Sequence, residues 1–311
     1  MFNLIKKSKK YVFMNPRKLI SIFLVLAGNI LSSIFDKIDN NSLSSKFTYF
    51  LMRNKAIFFE VNNKVKTSNK KEVNLFIKKG WKKINSLDKS LILKLTRLFV
   101  KNSSDKKLNS LTELIKHYQR NGTFRSERII VKDPDILIEI FNSLEIINFV
   151  SEITNLDVNK IAFLATIDAT ISSNRIVQDS ELRDKALEFH RDFDGFNFYK
   201  AFIYLNDITS NNGPHEFIEG SHKNLPFHLK LIRRYNLEQI VSSIPNFKLK
   251  QFTGLKGSGF IENTSGFHRG TLPTENYRLL LTIVFSEKKF VEKTCNIEGF
   301  HYFEDNSLQT L

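Results

Sequence analysis

The feature that most constrains this chain is a series of short apolar runs in its second half, each closed by a turn signal. They are Ile161–Asp168, Ala186–His190, Phe198–Leu205, His215–Ile218, Gly259–Glu262 and Arg278–Phe285, with Gly, Asn and Pro between them. Runs of this length and punctuation read as strands buried on one or both faces. No helical stretch alternates regularly with them, so α/β units with a parallel sheet are not expected. A jelly roll or barrel is. The region from about 43 to 121 reads differently. Its apolar positions follow a helical period, with breaks at Asn62-Asn63 and Ser68-Asn69. Ser86 or Asp88 is placed to start the helical run Leu91, Ile92, Leu93, Leu95, Leu98, Phe99.

Charge divides the chain in the same way. Residues 1–125 hold 27 Lys and Arg against 7 Asp and Glu, whereas the rest hold 20 against 25. The excess in the first part implies a basic surface facing solvent or an anionic partner. No zinc-finger, RNA-recognition or helix-turn-helix signature accompanies it, so nucleic acid is not the expected partner. A lone cysteine, Cys295, excludes an intrachain disulfide and a multi-thiolate zinc site and fits a reducing compartment. Near the start, Lys6, Lys7, Lys9, Lys10, Arg17 and Lys18 precede a seventeen-residue apolar run, Leu19 to Phe35. That length is at the short edge for a bilayer span, and Asn29 and three serines weaken it further. Val25-Leu-Ala27 is a poor signal-peptidase site. The expectation for residues 1–66 is a basic, apolar helical extension that packs on the domain or lies in a membrane interface.

His190-Arg191-Asp192 is the sharpest local feature. In an extended strand, residues two apart share a face, so His190 and Asp192 can reach one ion together. An imidazole and a carboxylate are two thirds of a 2-His-1-carboxylate metal site, which keeps open positions for other ligands. On its own His-x-Asp is common, and the bland alternative is a surface pair. A third ligand must come from another histidine, of which His268, in Gly266-Phe-His268-Arg-Gly270, sits at a strand–turn boundary. Arg278 opens a strongly apolar strand, where a guanidinium needs an anion. That anion is either a carboxylate ligand or a structural partner such as Glu262 or Glu275.

His190-x-Asp192, Leu205-Asn-Asp207, Asn212-Gly-Pro214, Gly220-Ser-His-Lys223, His268 and Arg278 together resemble the phytanoyl-CoA dioxygenase family of iron(II)/2-oxoglutarate oxygenases. Asn211–Lys223 is the most specific piece, and Phe76–Leu87 is similar to the segment where the family's helix runs into a first strand. The likeness spans about residues 70–286 and leaves residues 1–66 outside it. It implies a mainly β core with an α-helical N-terminal part. The implied core is a double-stranded β-helix, jelly-roll or cupin-like, over about 155–290 of a domain covering 67–311. It implies that His190, Asp192 and His268 hold Fe(II) and that Arg278 anchors the far carboxylate of 2-oxoglutarate. Lys200 and Tyr204, on one face of a strand, are further candidates for the co-substrate. His215 and His222 fall in the segment that shapes the core in this family, and His228 has no supporting pattern. With Asp192 in place, the halide-binding variant of the site is disfavoured.

The implied activity is an O2-consuming hydroxylation of an unactivated C–H bond, with release of succinate and CO2. No acyl-CoA signature stands around Glu262–His268, so the family name does not fix the substrate. A small molecule or a lipid- or glycan-linked compound is expected, with peripheral membrane contact through residues 1–66 and a cytoplasmic location at the inner face. The competing readings are an inactive or cupin-type binding protein on the same fold, membrane-associated or not.

Overall fold

The computed structural model describes residues 70–103, 108–172, 177–178, 187–192, 198–223, 225, 229, 237–244, 246–294, 298–305 and 307–311. The 1–66 extension lies outside the described residues. Helix α1 (Lys70–Lys79) leads into strand β1 (Trp81–Ile84), followed by α2 (Lys89–Lys101) and α3 (Leu111–Arg120). After β2 (Ile129–Ile130) come α4 (Pro134–Leu144) and α5 (Ile146–Thr154). The roll is then built from β3 (Ile161–Ile171), β4 (Tyr199–Tyr204), β5 (His215–Ile218), α6 (Leu237–Ser243), β6 (Leu249–Phe252), β7 (Gly259–Glu262), β8 (His268–Gly270) and β9 (Tyr277–Glu287). Helix α7 (Lys288–Thr294) and the hairpin β10 (His301–Glu304) and β11 (Ser307–Thr310) close the chain.

Two antiparallel sheets result. The larger runs β1-β7-β4-β9-β3-β10-β11, with β2 beside β3, and the smaller runs β6-β5-β8. An isolated bridge between His190 and His268 extends the smaller sheet by one more segment. Along the chain the segments β3, His190, β4, β5, β6, β7, β8 and β9 fall in the larger, smaller, larger, smaller, smaller, larger, smaller and larger sheet. That alternation is the double-stranded β-helix expected from the sequence.

Strand parity decides what the roll encloses. In β3, Phe163, Ala165, Ile167, Ala169 and Ile171 join β9 residues Leu279, Leu281, Ile283 and Phe285 in one core with Leu91, Leu95, Leu137 and Ile140 of the helices. Each of the Leu, Ile and Phe side chains among them, removed from water, contributes roughly 1.5–3 kcal/mol. Alternate residues of the same strands face the other way. Phe202, Tyr204, Phe260 and Leu280 pack there with Phe217 and Phe252 of the smaller sheet. Thr166, Asp168, Thr170, Arg278 and Thr282 share that parity and are buried as well. Burial on both faces is why these strands read as continuous apolar runs.

Within the region of about 43–121 that reads as helical by periodicity, β1 is a strand, as the resemblance over Phe76–Leu87 implied. Gly80, at φ +88, ends α1, and Trp81–Ile84 pairs with Glu262–Gly259. Four ladder pairings outweigh the helical periodicity of so short a stretch. Asp88, one of the two residues expected to start α2, stands at its N-cap position, without a capping bond from its side chain. The strand read at Ala186–His190 is described only from Leu187 onward, where it reduces to the single His190 bridge.

Candidate metal centre

The backbone of the smaller sheet brings the histidines together. The amide of His190 donates to the His268 carbonyl at 3.0 Å, and the amide of His268 returns the bond to His190 at 2.9 Å. The Asp192 amide continues the pairing to the Thr264 carbonyl at 2.8 Å, keeping residues 190–192 extended. His190 and Asp192 therefore project to one side, while Phe189 turns to an outer cluster with Ile218 and Phe267. The two imidazole centroids stand 4.2 Å apart. His190 Nε2 is 3.7 Å from Asp192 Oδ1, and His268 Nε2 is 3.4 Å from Oδ2. One ligand atom from each of the three residues lies within 4.8 Å of the others, and all three residues are buried.

The ring orientations suit a cation. His190 Nδ1 faces the Glu188 carbonyl at 2.9 Å and His268 Nδ1 faces the Gly266 carbonyl at 3.0 Å. With Nδ1–H donated outward in each ring, both Nε2 atoms are turned toward Asp192, where one ion could meet them together with the carboxylate. Two neutral imidazoles and a carboxylate are the donor set of non-haem iron sites with open positions. Burial and the neighbouring His268 hold the pKa of His190 well below the usual histidine range. Burial opposes ionising Asp192, but the Lys200 ammonium and His268 outweigh it and keep its carboxyl well below the usual range. Burial likewise opposes protonating His268, and Asp192 more than offsets this, so its pKa is raised.

Arg278 is buried at the other end of the same interior face. Its Nη1 donates to the Gly213 and Thr271 carbonyls and its Nη2 donates to Thr170 Oγ1 at 3.1 Å, while Nε has no hydrogen-bond partner among the described residues. Neither Glu262 nor Glu275 is its partner among the described residues; the carboxylate whose charge reaches it is the buried Asp168, which also pairs with Arg125 and Arg128. Glu262 is instead bound by His215, whose Nε2 lies 3.0 and 3.1 Å from its two oxygens. Burial lowers the Arg278 pKa to about 10, which still leaves it charged at neutral pH. Gly270 lies against the guanidinium, since a Cβ there would meet Nη2 at 2.4 Å. Gly270 and His268 share a face of β8, two residues and about 7 Å apart. The guanidinium thus lies against the β8 residue two positions from His268, on the same face of that strand.

The remaining predicted residues fall as follows. Lys200 donates from Nζ to Asp192 Oδ2 at 2.6 Å, so it touches the triad directly. Tyr204 donates to the Phe252 carbonyl at 2.8 Å and accepts from the His215 amide at 3.1 Å. Its hydroxyl is fully engaged with the smaller sheet. His222 Nε2 faces the Ile77 carbonyl at 2.9 Å, tying α1 to the roll, so that nitrogen is committed elsewhere. His228 lies outside the described residues. Sequence reasoning missed the part played by His215 and Glu262, which are buried beside the triad. Among the described residues no helix is long and apolar enough to cross a membrane.

No family model and no curated protein matches the chain. Solved structures do show similarity over most of its length. The non-heme alpha ketoglutarate dependent carbocyclase SnoK from nogalamycin biosynthesis is 14% identical, with 70% of this chain and 83% of that one covered and a TM-score of 0.44. EctD from S. alaskensis with bound Fe gives 11%, 73%, 79% and 0.47 in the same order. HygX from Streptomyces hygroscopicus with nickel and 2-oxoglutarate bound gives 16%, 71%, 88% and 0.46. At these values no activity passes from those proteins to this chain, and its chemistry is read from its own residues.

Proposed function

We propose that this chain is an iron(II)- and 2-oxoglutarate-dependent oxygenase of the phytanoyl-CoA dioxygenase type that hydroxylates an unactivated C–H bond. The observation that carries the reading is the buried His190–Asp192–His268 cluster facing the same interior as the buried guanidinium of Arg278. The three side chains would hold the iron through both Nε2 atoms and one Asp192 oxygen. Arg278 would bind the far carboxylate of 2-oxoglutarate as a bidentate charge pair. Iron and 2-oxoglutarate together supply the oxidising power, O2 being consumed and succinate and CO2 released.

The protein's own work is positioning and exclusion of water. Carbonyl bonds at Nδ1 fix both imidazoles, Lys200 restrains Asp192, and the aromatic wall of Phe202, Phe217, Phe252 and Phe260 keeps the interior dry. The motif Asn211–Lys223 supports the family reading, because Gly213 lends its carbonyl to Arg278 and Ser221 donates to the Ile218 carbonyl to set the turn. The charge of residues 1–125 supports contact of the 1–66 segment with an anionic membrane surface at the cytoplasmic face, and with it a lipid- or glycan-linked substrate. Succinate formation from 2-oxoglutarate, measured with Fe(II) under air, tests the activity. Its absence in wild-type protein that holds iron would refute it.

A further inference from the structure

We propose that Glu262, clasped by His215, is a positioning residue for His268, and this rests on the metal reading of the triad given above. Strand β7 carries Glu262 onto the interior face, where it is wholly buried at 0% exposure. A carboxylate in such a place is costly unless partners satisfy it. Its cross-strand neighbour in β4 is Lys200, but that amine reaches Asp192. Glu262 is served by His215 instead, whose Nε2 spans both of its oxygens at 3.0 and 3.1 Å.

The pair is aimed at a ligand. The His215 and His268 rings are stacked, with centroids 5.6 Å apart and planes 21° from parallel. Glu262 Oε1 lies 4.0 Å from His268 Nδ1, the nitrogen that also faces the Gly266 carbonyl at 3.0 Å. A negative charge on the Nδ1–H side holds that tautomer and enriches the opposite Nε2, the atom that faces Asp192. His190 is differently served, its Nδ1 being placed on the Glu188 carbonyl. The two imidazoles are thus unequal, and His268 is the better donor. The pair also ties the smaller sheet, through β5, to the larger, through β7. A purely mechanical tie would depend on shape and hydrogen bonding, whereas the positioning role depends on the charge.

Glu262→Gln separates these, because it keeps size and an acceptor for His215 while removing the charge. Full-length protein is stripped with a chelator, titrated with Ni2+ by calorimetry, and its Co2+ form is examined by visible absorption. Thermal melting of the metal-free proteins is followed alongside. Glu262→Gln is expected to bind Ni2+ roughly 10- to 100-fold more weakly, with an altered Co2+ spectrum and a melting temperature near wild type. Wild-type Ni2+ affinity and an unchanged Co2+ spectrum in a well-folded Glu262→Gln protein would overturn the proposal. Should that variant fail to fold, Glu262→Asp keeps the charge but withdraws it by one methylene. Several-fold weaker binding is then expected, and unaltered binding overturns the idea equally. If wild-type protein binds no Ni2+ at all, the triad reading itself falls, a result distinct from failure of the Glu262 role alone.

Discussion

Gly270→Ala moves the Arg278 guanidinium without removing its charge. The added Cβ would stand 2.4 Å from Nη2, and 3.1 Å from both Cζ and Nη1. Ordinary contact requires the group to retreat by about 1 Å. Its bond to Thr170 Oγ1, 3.1 Å long, is lost if the group retreats away from that hydroxyl, while the close contact with the Gly213 carbonyl can lengthen and persist. A carboxylate fitted to the original position then loses one of its charge-assisted bonds, worth about 1.5–3 kcal/mol. That corresponds to roughly 10- to 100-fold weaker 2-oxoglutarate binding. Because the displaced atoms are the end of a flexible side chain, the fold should lose less than about 2 kcal/mol. Anaerobic calorimetry with the Ni2+-loaded protein reads the 2-oxoglutarate affinity, and a separate Ni2+ titration serves as the control. Weakened 2-oxoglutarate binding with intact metal binding is expected. Unchanged 2-oxoglutarate affinity would show that the anion does not meet Arg278 in this orientation.

Two further outcomes follow from other parts of the molecule. Burial pushes the His222 pKa down to about 4, against the Ile77 carbonyl bond, which favours protonation. The unfolded chain therefore takes up this proton first as pH falls below about 6.5, and stability drops by about 2–3 kcal/mol between there and pH 4. Denaturant unfolding across that window should show a shallower pH slope in His222→Gln than in wild type, and equal slopes would contradict the buried neutral state. Flotation with anionic liposomes compares full-length protein with one lacking residues 1–40. Loss of flotation in the shortened form is expected, and equal recovery in the soluble fraction would end the membrane proposal.

Much of the roll was legible because its strands are punctuated locally. His215–Ile218 and Gly259–Glu262 coincide with the expected runs, and β9 extends the run read from Arg278 by one residue before and two after. Two structural features of the site were also legible. Residues two apart in extended chain brought His190 and Asp192 to one side, and the apolar run after Arg278 signalled a buried guanidinium. What escaped was set by distant partners. The pattern of Trp81–Ile84 is helical on its own, and only the resemblance over Phe76–Leu87 implied a strand there, which forms by pairing with β7. The hairpin of β10 and β11 turns on Asp305, at φ 47, within strands of four residues each, too short to give a periodic signal. His215 and Glu262 are 47 residues apart, and nothing near either one announces the other. The surrounding helices were only partly read, since α4 and α5 are joined at Glu145, whose φ of 49 no residue type there would suggest.

Under the proposed function, His190, Asp192 and His268 would together hold one iron to which 2-oxoglutarate is added. Anaerobic titration of the stripped protein with Fe(II), followed by 2-oxoglutarate and visible spectroscopy, tests it most directly. One Fe(II) bound per chain is expected, with a charge-transfer band that appears only after 2-oxoglutarate is added. Asp192→Ala and His268→Ala should each lose both. Undiminished iron binding and the same band in His268→Ala would contradict the account, and would place the metal on ligands other than this triad.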